Sequence, residues 1–415
     1  MSINPELKVA IIGFGEMGKR HSLEYHHATR GKINFTAVVE PEDARYEEGC
    51  AWYGKRPTRY KRIKDMLSKE KLAAIIIASP NCFHYENLKD CMTGNLPLML
   101  EKPLDSTFEK ICEIARLTNS YKAPIMVDHV MRYAPIIQKA KQLITSGAIG
   151  KVCSFNFVQY HGGGALFTTY RRTMAGGGGQ LIEKGTHDLD VAFYLCGAAP
   201  RKVTGICRLQ KFGGNKSEKL TCSTCDDFKC ANRVALRKSS NAAVKDIDLN
   251  HDLCAFSKTV DVYDNEICLV ECTNNIFGSY AHCFFVQNHF SRRYEIIGTN
   301  GILYIELSMR EKIPNCDGRI SLSRAIPGLP EREEYKFDYE GKIHYNGGPF
   351  AGLHFYNMIQ GKAKPFTTVE DAFAAEMVGV GAMKSSEEHR HIDLEKDIIP
   401  EDLLKVFRKA YRENV

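Results

Sequence analysis

Apolar runs alternate with helical patterns through the first third of the chain. Short runs at 9–12, 35–39, 72–78, 98–100 and 125–127 each have the length and composition of a buried strand. Segments long enough for a helix lie between them. This alternation predicts a doubly wound parallel sheet, an α/β arrangement, over residues 1–128.

The pattern changes after residue 128. Residues 152–159 alternate in polarity as a half-buried strand does, and further extended stretches lie at 203–209, 267–272, 279–286 and 293–297. Asn300 and Gly301 indicate a tight hairpin after the last of these. Helical patterns follow at 351–360 and 369–384, and a charged helix is expected after Pro400. We therefore expect a second domain over 129–415, of α+β class with a large, mostly antiparallel sheet.

Local signals predict where some helices begin and end. Ser106 and Glu109 have the spacing of a capping box. Thr186 is expected to cap a helix over 187–196 that ends at Gly197. The four glycines at 176–179 are expected to lack regular structure and to let backbones approach closely.

The loop after the first strand carries the clearest chemical signal. Its three glycines have the spacing that admits a dinucleotide pyrophosphate at a helix N-terminus. Glu40 ends the second strand, where an acid binds a ribose 2′-hydroxyl and repels a 2′-phosphate. We therefore expect NAD rather than NADP, the alternative being a strand–turn–helix without a ligand. The residues expected at this end of the coenzyme are Gly13, Phe14, Gly15, Glu16, Met17, Gly18 and Glu40.

Two further strand ends are expected to line the same crevice. Ser79, Pro80 and Asn81 form a turn after the third apolar run, at the carboxyl edge of the sheet. Glu101 and Lys102 follow the fourth run, where a lysine fixed before a proline would point toward the nicotinamide. The alternative for Lys102 is a surface lysine at a turn.

His187 is the candidate proton acceptor. We expect it on the first turn of a helix, where the helix dipole disfavours the imidazolium form. A neutral imidazole, with a reference pKa of about 6.5, is suited to take a proton near neutral pH. Glu183 lies four residues earlier and would orient the ring. The alternative is a capped helix start with solvated charges.

Composition sets limits on partners. The chain has 415 residues, 44% of them hydrophobic and 26% charged, with a net charge of +6. This diffuse excess does not indicate nucleic-acid binding. No apolar run is long enough to span a membrane, and the first residues lack the apolar core of a signal peptide. We therefore expect a cytoplasmic protein without a membrane partner.

The fifteen cysteines mostly lie singly in apolar runs, as reduced core thiols do. An insert at 211–258 differs, because it carries Cys222, Cys225, Cys230 and Cys254. Four thiolates can hold a tetrahedral zinc ion, so a structural zinc is one interpretation. The spacing after Cys225 is irregular, and a loop of reduced cysteines is the other. We expect the insert to cover one rim of the substrate cleft.

Several motifs together resemble a known family. In chain order they are AIIGFGEMG, then SPN-x-x-H ending at His84, then EKPL, then a G-x-x-H helix start. They are similar to the glucose–fructose oxidoreductase, inositol dehydrogenase and MocA family (Gfo/Idh/MocA). The resemblance implies a Rossmann domain followed by an α/β domain with an open sheet that forms dimer or tetramer contacts. It also implies hydride transfer between NAD(P) and a hydroxyl carbon of a sugar or polyol.

The resemblance implies roles for particular residues. Lys102 matches the family's catalytic EKP lysine, and His187 and Asp190 match the histidine and last aspartate of D-x-G-x-H-x-x-D. Glu183 stands where the family has its first aspartate, next to an unusual lysine. His84 joins the coenzyme residues. The residues expected near the substrate are Arg132, Tyr133, Lys184, Asp188 and Asp190, of which Arg132 and Tyr133 are alternatively contacts between domains.

Three functions stay open. The first is an NAD-dependent dehydrogenase of a sugar, cyclitol or glycoside, in which His187 takes the hydroxyl proton and Lys102 stabilises the alkoxide. Lys102 is the base instead only if its pKa is strongly lowered. The second is a glycosidase or epimerase that retains NAD and oxidises the sugar transiently. The third is a non-catalytic NAD-binding regulator. In each case the expected partners are a small molecule and further copies of the chain, as a homodimer or homotetramer.

Overall fold

The computed structural model describes residues 6–162, 164–234, 243–244, 247–248, 252–286, 290–308, 316–339 and 343–411. The chain divides into two compact units. The first comprises Met1–Tyr133 and Gly347–Phe373, and the second comprises Ala134–Asn346 and Ala374–Val415. The first boundary lies close to the predicted one at 128. The segment Gly347–Phe373 differs from the prediction, because it was expected in the second domain and belongs to the first unit.

The first unit contains a six-stranded sheet in which every neighbouring pair is parallel, in the order β3-β2-β1-β4-β5-β6. This arrangement confirms the doubly wound sheet predicted from the alternating pattern. The strands are β1 (Leu7–Ile12), β2 (Ile33–Val39), β3 (Thr58–Tyr60), β4 (Ala74–Ile77), β5 (Leu98–Leu100) and β6 (Ile125–Val127). The helices are α1 (Glu16–Ala28), α2 (Asp43–Tyr53), α3 (Ile63–Lys69), α4 (His84–Met92) and α5 (Phe108–Thr118).

The central strands of this sheet are apolar on both faces. All four residues of β4 are buried, as are the last four of β1. The strands of parallel sheets are apolar on both faces because helices cover both faces of the sheet. The edge strand β3 is only three residues long and half polar, and the sequence did not predict it.

The second unit is built on a nine-stranded sheet in the order β16-β15-β14-β13-β7-β12-β11-β8-β17. Only β7 and β12 run parallel, so the predicted large, mostly antiparallel sheet is confirmed. The helices before and within it are α6 (Pro135–Thr145), α7 (Met174–Gly177) and α8 (Thr186–Cys196). The strands are β7 (Val152–His161), β8 (Pro200–Arg208), a separate pair β9 (Ala243–Val244) and β10 (Ile247–Asp248), β11 (Asn265–Cys272), β12 (Phe277–Cys283), β13 (Phe290–Gly298), β14 (Gly301–Ser308), β15 (Gly318–Arg324), β16 (Arg332–Phe337) and β17 (Ile392–Asp393).

One face of the nine-stranded sheet is buried and the other is open. Phe155 and Phe157 pack on the buried face, where Phe155 meets Phe193 of α8. Apolar side chains also point the other way: Ile206, Leu269 and Phe277 are 55%, 58% and 61% exposed. The open face is therefore an apolar surface without a protein partner in the described residues.

The last helices are α9 (Gly347–Ile359), α10 (Val369–Glu388), α11 (Leu394–Asp397) and α12 (Leu404–Phe407). In the first unit α9 packs on α1, with Gly352 directly against the ring of Tyr25. The charged helix predicted after Pro400 is wrong in extent, because only a 3-10 turn (Glu401–Leu403) and the four-residue α12 form there. Among the described residues no helix combines the length and apolar content that a membrane span requires.

Three local predictions need correction. The capping box at Ser106 is wrong: α5 begins after Thr107, and the Ser106 amide donates to Asp105 Oδ1 instead (2.7 Å). The glycines at 176–179 are not free of regular structure, since Gly176 and Gly177 belong to α7. The hairpin between β13 and β14 is confirmed, but its two-residue loop is 299–300, because Gly298 pairs with Gly301.

Candidate functional site

The three glycines of the first loop each have a separate steric role. Gly13 has a φ of +89°, and a Cβ there would lie 2.8 Å from the Ala78 carbonyl oxygen. A Cβ on Gly18 would lie 2.1 Å from the Gly13 carbonyl oxygen, so this glycine lets α1 pack against β1. A Cβ on Gly15 would meet nothing within 4 Å. The loop is therefore closed against the protein at two glycines and open at the one where a pyrophosphate would approach.

Glu40 lies beside this loop. Its Oε2 accepts from the Phe14 amide (2.9 Å) and its Oε1 from the Glu42 amide (3.0 Å). Burial raises the pKa of Glu40, and these two amide donors partly offset that effect. The carboxylate is thus fixed next to the glycine loop. The Phe14 side chain contributes to the core instead, packed against Gly49 of α2.

The turn after β4 and the loop after β5 are joined by one histidine. His84 is buried, with Nε2 2.9 Å from the Ser79 carbonyl oxygen and Nδ1 2.7 Å from the Pro103 carbonyl oxygen. Asn87 supports the same turn by donating to Ser79 Oγ (2.9 Å). His84 was predicted at the coenzyme. Its ring nitrogens hold together two loops that end at the carboxyl edge of the sheet.

Lys102 follows β5 in a buried environment, and the residue is 9% exposed. Its neighbour Glu101 accepts from the Lys102 amide through Oε2 (3.2 Å) and from His21 Nε2 through Oε1 (2.6 Å). Asp128, at the end of β6, lies 3.7 Å from the same His21 nitrogen. His21 belongs to α1. Side chains from α1, from the loop after β5 and from the end of β6 therefore meet next to Lys102 in the first unit.

The charges of this cluster perturb each other. Burial raises the pKa of Asp128 to about 8, with a further contribution from the Glu101 charge. Burial is the largest single effect on Glu101 and would raise its pKa, but the hydrogen bond from His21 and the charges of His21, Lys102 and His84 together lower that pKa. Burial opposes the charged form of His21, but the hydrogen bond to Glu101 and the charges of Glu101 and Asp128 raise its pKa.

Arg132 and Tyr133 were predicted as substrate donors or as contacts between domains. Arg132 is fully buried and donates to Asp371 Oδ2 (2.9 Å) and to the Phe366 carbonyl (3.1 Å). The Tyr133 hydroxyl lies 3.3 Å from Thr367 Oγ1. Both side chains therefore hold the returning segment of the first unit to its sheet, and these contacts favour the structural interpretation.

In the second unit the predicted helix over 187–196 is confirmed as α8, but the prediction that it starts at a Thr186 cap is wrong. A π-helical turn (Leu181–Gly185) runs directly into α8, and Gly185 has helical dihedral angles. Thr186 is therefore not a cap, and His187 lies inside a continuous helix instead of at its positive end. The dipole argument for a neutral His187 does not apply. The predicted end of the helix is confirmed, because Gly197 is left-handed and caps α8.

Glu183 is part of that π-helical turn. Its Oε1 lies 2.8 Å from Arg171 Nε and 3.6 Å from Lys184 Nζ, and its side chain is buried. The glutamate is thus flanked by two cations. The sequence identified Lys184 as its neighbour, but nothing local indicated Arg171, which is twelve residues away.

Asp188 and Asp190 were predicted near the substrate. Asp188 is fully buried, and its carboxylate accepts from Arg292 Nε (2.8 Å) and from the hydroxyls of Tyr294 and Tyr280. Asp190 accepts from the Tyr411 hydroxyl (3.1 Å). These carboxylates fix α8 within the second unit, because they accept from donors on the sheet and the C-terminal segment.

The sequence did not identify His344, whose ring centroid lies 5.5 Å from that of His187. His344, Tyr345 and Asn346 have φ values of +50°, +53° and +64°. Three successive non-glycine residues in the left-handed region represent backbone strain, which is typical of functional sites. Arg292 secures this segment, since it donates to the Tyr345 hydroxyl (3.1 Å) as well as to Asp188. The same arginine therefore fixes the residues that follow His187 and His344.

The four cysteines of the insert line one cavity of about 250 Å³, together with Asp227 and Arg233. All four are free thiols. Within the described ranges the one His/Cys/Asp/Glu set with mutual ligand-atom distances below 4.8 Å is His21, Glu101 and Asp128. The insert brings its thiols to one cavity but not to the spacing that a shared zinc ion requires, so the structure does not support the predicted zinc.

Comparison with known proteins adds family relationships. Residues 7–129 match the family model "Oxidoreductase family, NAD-binding Rossmann fold", and residues 137–304 match "GFO/IDH/MocA C-terminal domain". Together the two matches cover more than two thirds of the chain.

Curated relatives are distant and match over part of their length. An inositol 2-dehydrogenase of Corynebacterium glutamicum (strain R) is 26% identical over 47% of this chain and 56% of its own length. A 2,7-anhydro-N-acetylneuraminate hydratase of Mediterraneibacter gnavus is 27% identical over 47% of this chain and 50% of its own. The chain thus spans about half the length of these relatives.

A solved structure of levoglucosan dehydrogenase, in complex with NADH and levoglucosan, shares the fold. Its TM-score is 0.73 at 18% identity, covering 94% of this chain and all of that one. At this identity the likeness concerns the fold alone. The family assignment rests on the two matches to family models, which occur in the order that the sequence motifs predict. The chain belongs to the Gfo/Idh/MocA family of oxidoreductases.

Proposed function

We propose that the protein is an NAD-dependent dehydrogenase that acts on a hydroxyl-bearing carbon of a sugar, cyclitol or glycoside. When bound, the coenzyme supplies the hydride acceptor or donor. The observation that carries the proposal is the first loop, where Gly15 is open to a ligand while Gly13 and Gly18 are closed against the protein. The names of the inositol and levoglucosan dehydrogenases indicate the substrate class.

NAD is favoured over NADP by Glu40. Its carboxylate is held beside the loop by two backbone amides, so it is not free to swing away from a ligand. A ribose 2′-hydroxyl donates to such a group, whereas a 2′-phosphate is repelled.

The chemistry assigned to this chain is proton transfer. Loss of hydride from a carbinol carbon requires loss of the hydroxyl proton. In the proposal His187 takes that proton, and Lys102 stabilises the developing alkoxide by donating to it. Glu183 is a positioning residue in the proposal. Its ion pairs with Arg171 and Lys184 fix the turn that leads into His187.

The test is a substrate screen with the full-length protein. Sugars, inositols and glycosides are incubated with NAD, and absorbance of the reduced nicotinamide is followed. The proposal predicts NADH formation with at least one polyol, and a much weaker signal with NADP. Tight NADH binding without any turnover across the panel would contradict it and favour the regulator.

A redox-neutral reaction is the second candidate. The hydratase among the relatives indicates that the family includes reactions other than net oxidation, and Glu183 with Lys184 replaces the family's usual aspartate. The same screen discriminates the two candidates. Product formation without accumulation of NADH, at a catalytic amount of NAD, identifies the redox-neutral reaction.

We also propose that the open face of the nine-stranded sheet binds a second copy of the chain. The face presents Ile206, Leu269 and Phe277 together with charges of both signs, such as Arg293 and Glu295. A surface of mixed sign is suited to pairing with itself about a two-fold axis. Light scattering tests this proposal: the wild type should have the mass of a dimer or tetramer, and Leu269→Glu combined with Phe277→Glu should reduce it.

A further inference from the structure

A buried charged cluster in the first unit has no role in the chemistry assigned so far. It consists of His21, Glu101 and Asp128, which are only 2%, 5% and 1% exposed. Their ligand atoms lie within 4.8 Å of one another, as in a metal site. The 2.6 Å contact between His21 Nε2 and Glu101 Oε1 is, however, a direct hydrogen bond. An ion between these atoms would hold them farther apart, since each bond to a metal is itself about 2 Å long.

The hydrogen bonds of the cluster form a chain. His21 lies on α1, the helix whose N-terminus is the glycine loop. It holds one oxygen of Glu101, and the other oxygen of Glu101 accepts from the Lys102 amide (3.2 Å). A shift of α1 therefore moves the backbone of Lys102, because two hydrogen bonds to the Glu101 carboxylate connect them.

The cluster concentrates titratable groups. Its two acids, Glu101 and Asp128, face the imidazole of His21, and Glu24 on α1 adds a further negative charge. Burial raises the pKa of Asp128 to about 8, and the pKa of His21 is raised as well. Both shifts favour the protonated forms of Asp128 and His21. The titratable groups that face the cluster are Glu24 and Tyr25 from α1, His84 from α4 and Lys102 from the loop after β5.

We propose that His21, Glu101 and Asp128 form a buried clamp that positions Lys102 relative to the coenzyme helix. In this clamp His21 is a positioning residue: it acts on Lys102 through Glu101 and touches no reacting atom. The inference rests on the proposed function in that Lys102 is taken to donate to the reacting hydroxyl.

The clamp predicts that its loss affects the rate of hydride transfer and not the affinity for the coenzyme. Coenzyme affinity depends on the glycine loop and Glu40, whereas the clamp residues hydrogen-bond to one another and to the Lys102 amide. The hydride-transfer rate depends on the placement of Lys102, and a misplacement of about 1 Å costs a reacting group on the order of 100-fold in rate. Loss of the clamp should therefore lower the rate and leave NADH affinity nearly unchanged.

The experiment compares His21→Gln and Glu101→Gln with a matched control, His27→Gln, on the exposed side of the same helix. NADH binding is measured by fluorescence titration. Placement of Lys102 is measured by competitive acetylation, with its labelling rate quantified by mass spectrometry relative to the exposed Lys122. Hydride transfer is measured in a single turnover with the best substrate of the screen, across pH.

The expected result is an NADH affinity within about threefold of the wild type, a change of at least threefold in Lys102 labelling, and a roughly 10- to 100-fold slower hydride transfer in both clamp variants. The control should match the wild type in all three. Wild-type labelling and rates in a folded Glu101→Gln variant would overturn the clamp, even if His21→Gln fails to fold. If the wild type itself transfers no hydride, the proposed function is contradicted. The Lys102 labelling rates then test the clamp by themselves.

Discussion

His21 and Glu101 are joined by a 2.6 Å hydrogen bond across 80 residues of sequence. One lies on the helix that follows the glycine loop, and the other precedes the lysine assigned to the reacting hydroxyl. This bond links the two parts of the first unit that the proposed reaction needs. Both partners are buried, so the geometry of the bond must offset the cost of removing them from water.

The pH dependence of stability should reveal the buried acid of this cluster. Asp128 has a pKa of about 8 in the folded protein and an ordinary value of 3.8. Between these values the unfolded chain binds fewer protons than the folded one, so the free energy of unfolding falls as pH rises, by at most about 1.4 kcal/mol per pH unit. The raised pKa of His21 adds to the fall above its ordinary value of 6.5.

Asp128→Asn should flatten that slope between about pH 5 and 8. Urea unfolding followed by the fluorescence of Trp52, the single tryptophan and part of the first unit, measures it. A variant that loses stability with rising pH as steeply as the wild type would show that Asp128 is not the titrating group.

The glycine loop predicts opposite outcomes for two alanine substitutions. Gly15→Ala should fold with unchanged stability, because its Cβ meets nothing within 4 Å, and yet bind NADH at least about tenfold more weakly by blocking the pyrophosphate. Gly18→Ala should lose about 1–3 kcal/mol or more, because its Cβ would lie 2.1 Å from the Gly13 carbonyl oxygen. Thermal unfolding and NADH titration separate the two effects. Wild-type NADH affinity in Gly15→Ala would place the coenzyme elsewhere.

Coenzyme choice should follow Glu40. Glu40→Ser removes the charge that repels a 2′-phosphate, and we expect the ratio of NADPH to NADH affinity to rise at least about tenfold. The Phe14 amide also loses its acceptor, at a cost of about 1–3 kcal/mol in unfolding free energy. Glu42→Ser is the control, since it removes a neighbouring carboxylate and keeps the backbone amide that donates to Glu40. An unchanged affinity ratio in Glu40→Ser would remove Glu40 from the coenzyme site.

His344 should matter for the reaction and not for the fold. Asparagine tolerates the left-handed region, so His344→Asn keeps the strained backbone and removes the ring that lies 5.5 Å from that of His187. We expect hydride transfer to slow about tenfold, with unfolding free energy within about 0.5 kcal/mol of the wild type. His389→Asn is a matched control: it is also left-handed, with a φ of +53°, and it is exposed. Equal rates in the two variants would assign His344 a purely structural position.

Much of the fold is accessible from sequence because its signals are local. The buried strands of the first unit are apolar runs, and the glycine loop is a spacing of three residues within six positions. The alternation in 152–159 likewise predicted a strand of the second sheet. Period and spacing are properties of a short window, so they predict elements and the ends of parallel strands well.

The rest depends on contacts between distant parts of the chain. Gly185 and Thr186, at the junction between the π-helical turn and α8, are residue types that usually break and cap helices, so the sequence suggested a helix start where the helix continues. The strained residues 344–346 include no glycine, the usual mark of left-handed backbone. The positions of Arg132 and Asp188 were resolved only by their buried partners, Asp371 and Arg292, which lie 239 and 104 residues away.

The most direct test of the central claim is single-turnover hydride transfer in Lys102→Ala and His187→Ala, measured with NAD and the best substrate of the screen. We expect both variants to bind NADH normally and each to slow hydride transfer by about 100-fold or more, because each lacks a group that handles charge on the reacting hydroxyl. Wild-type rates in both variants would contradict the assignment of the chemistry to these two residues.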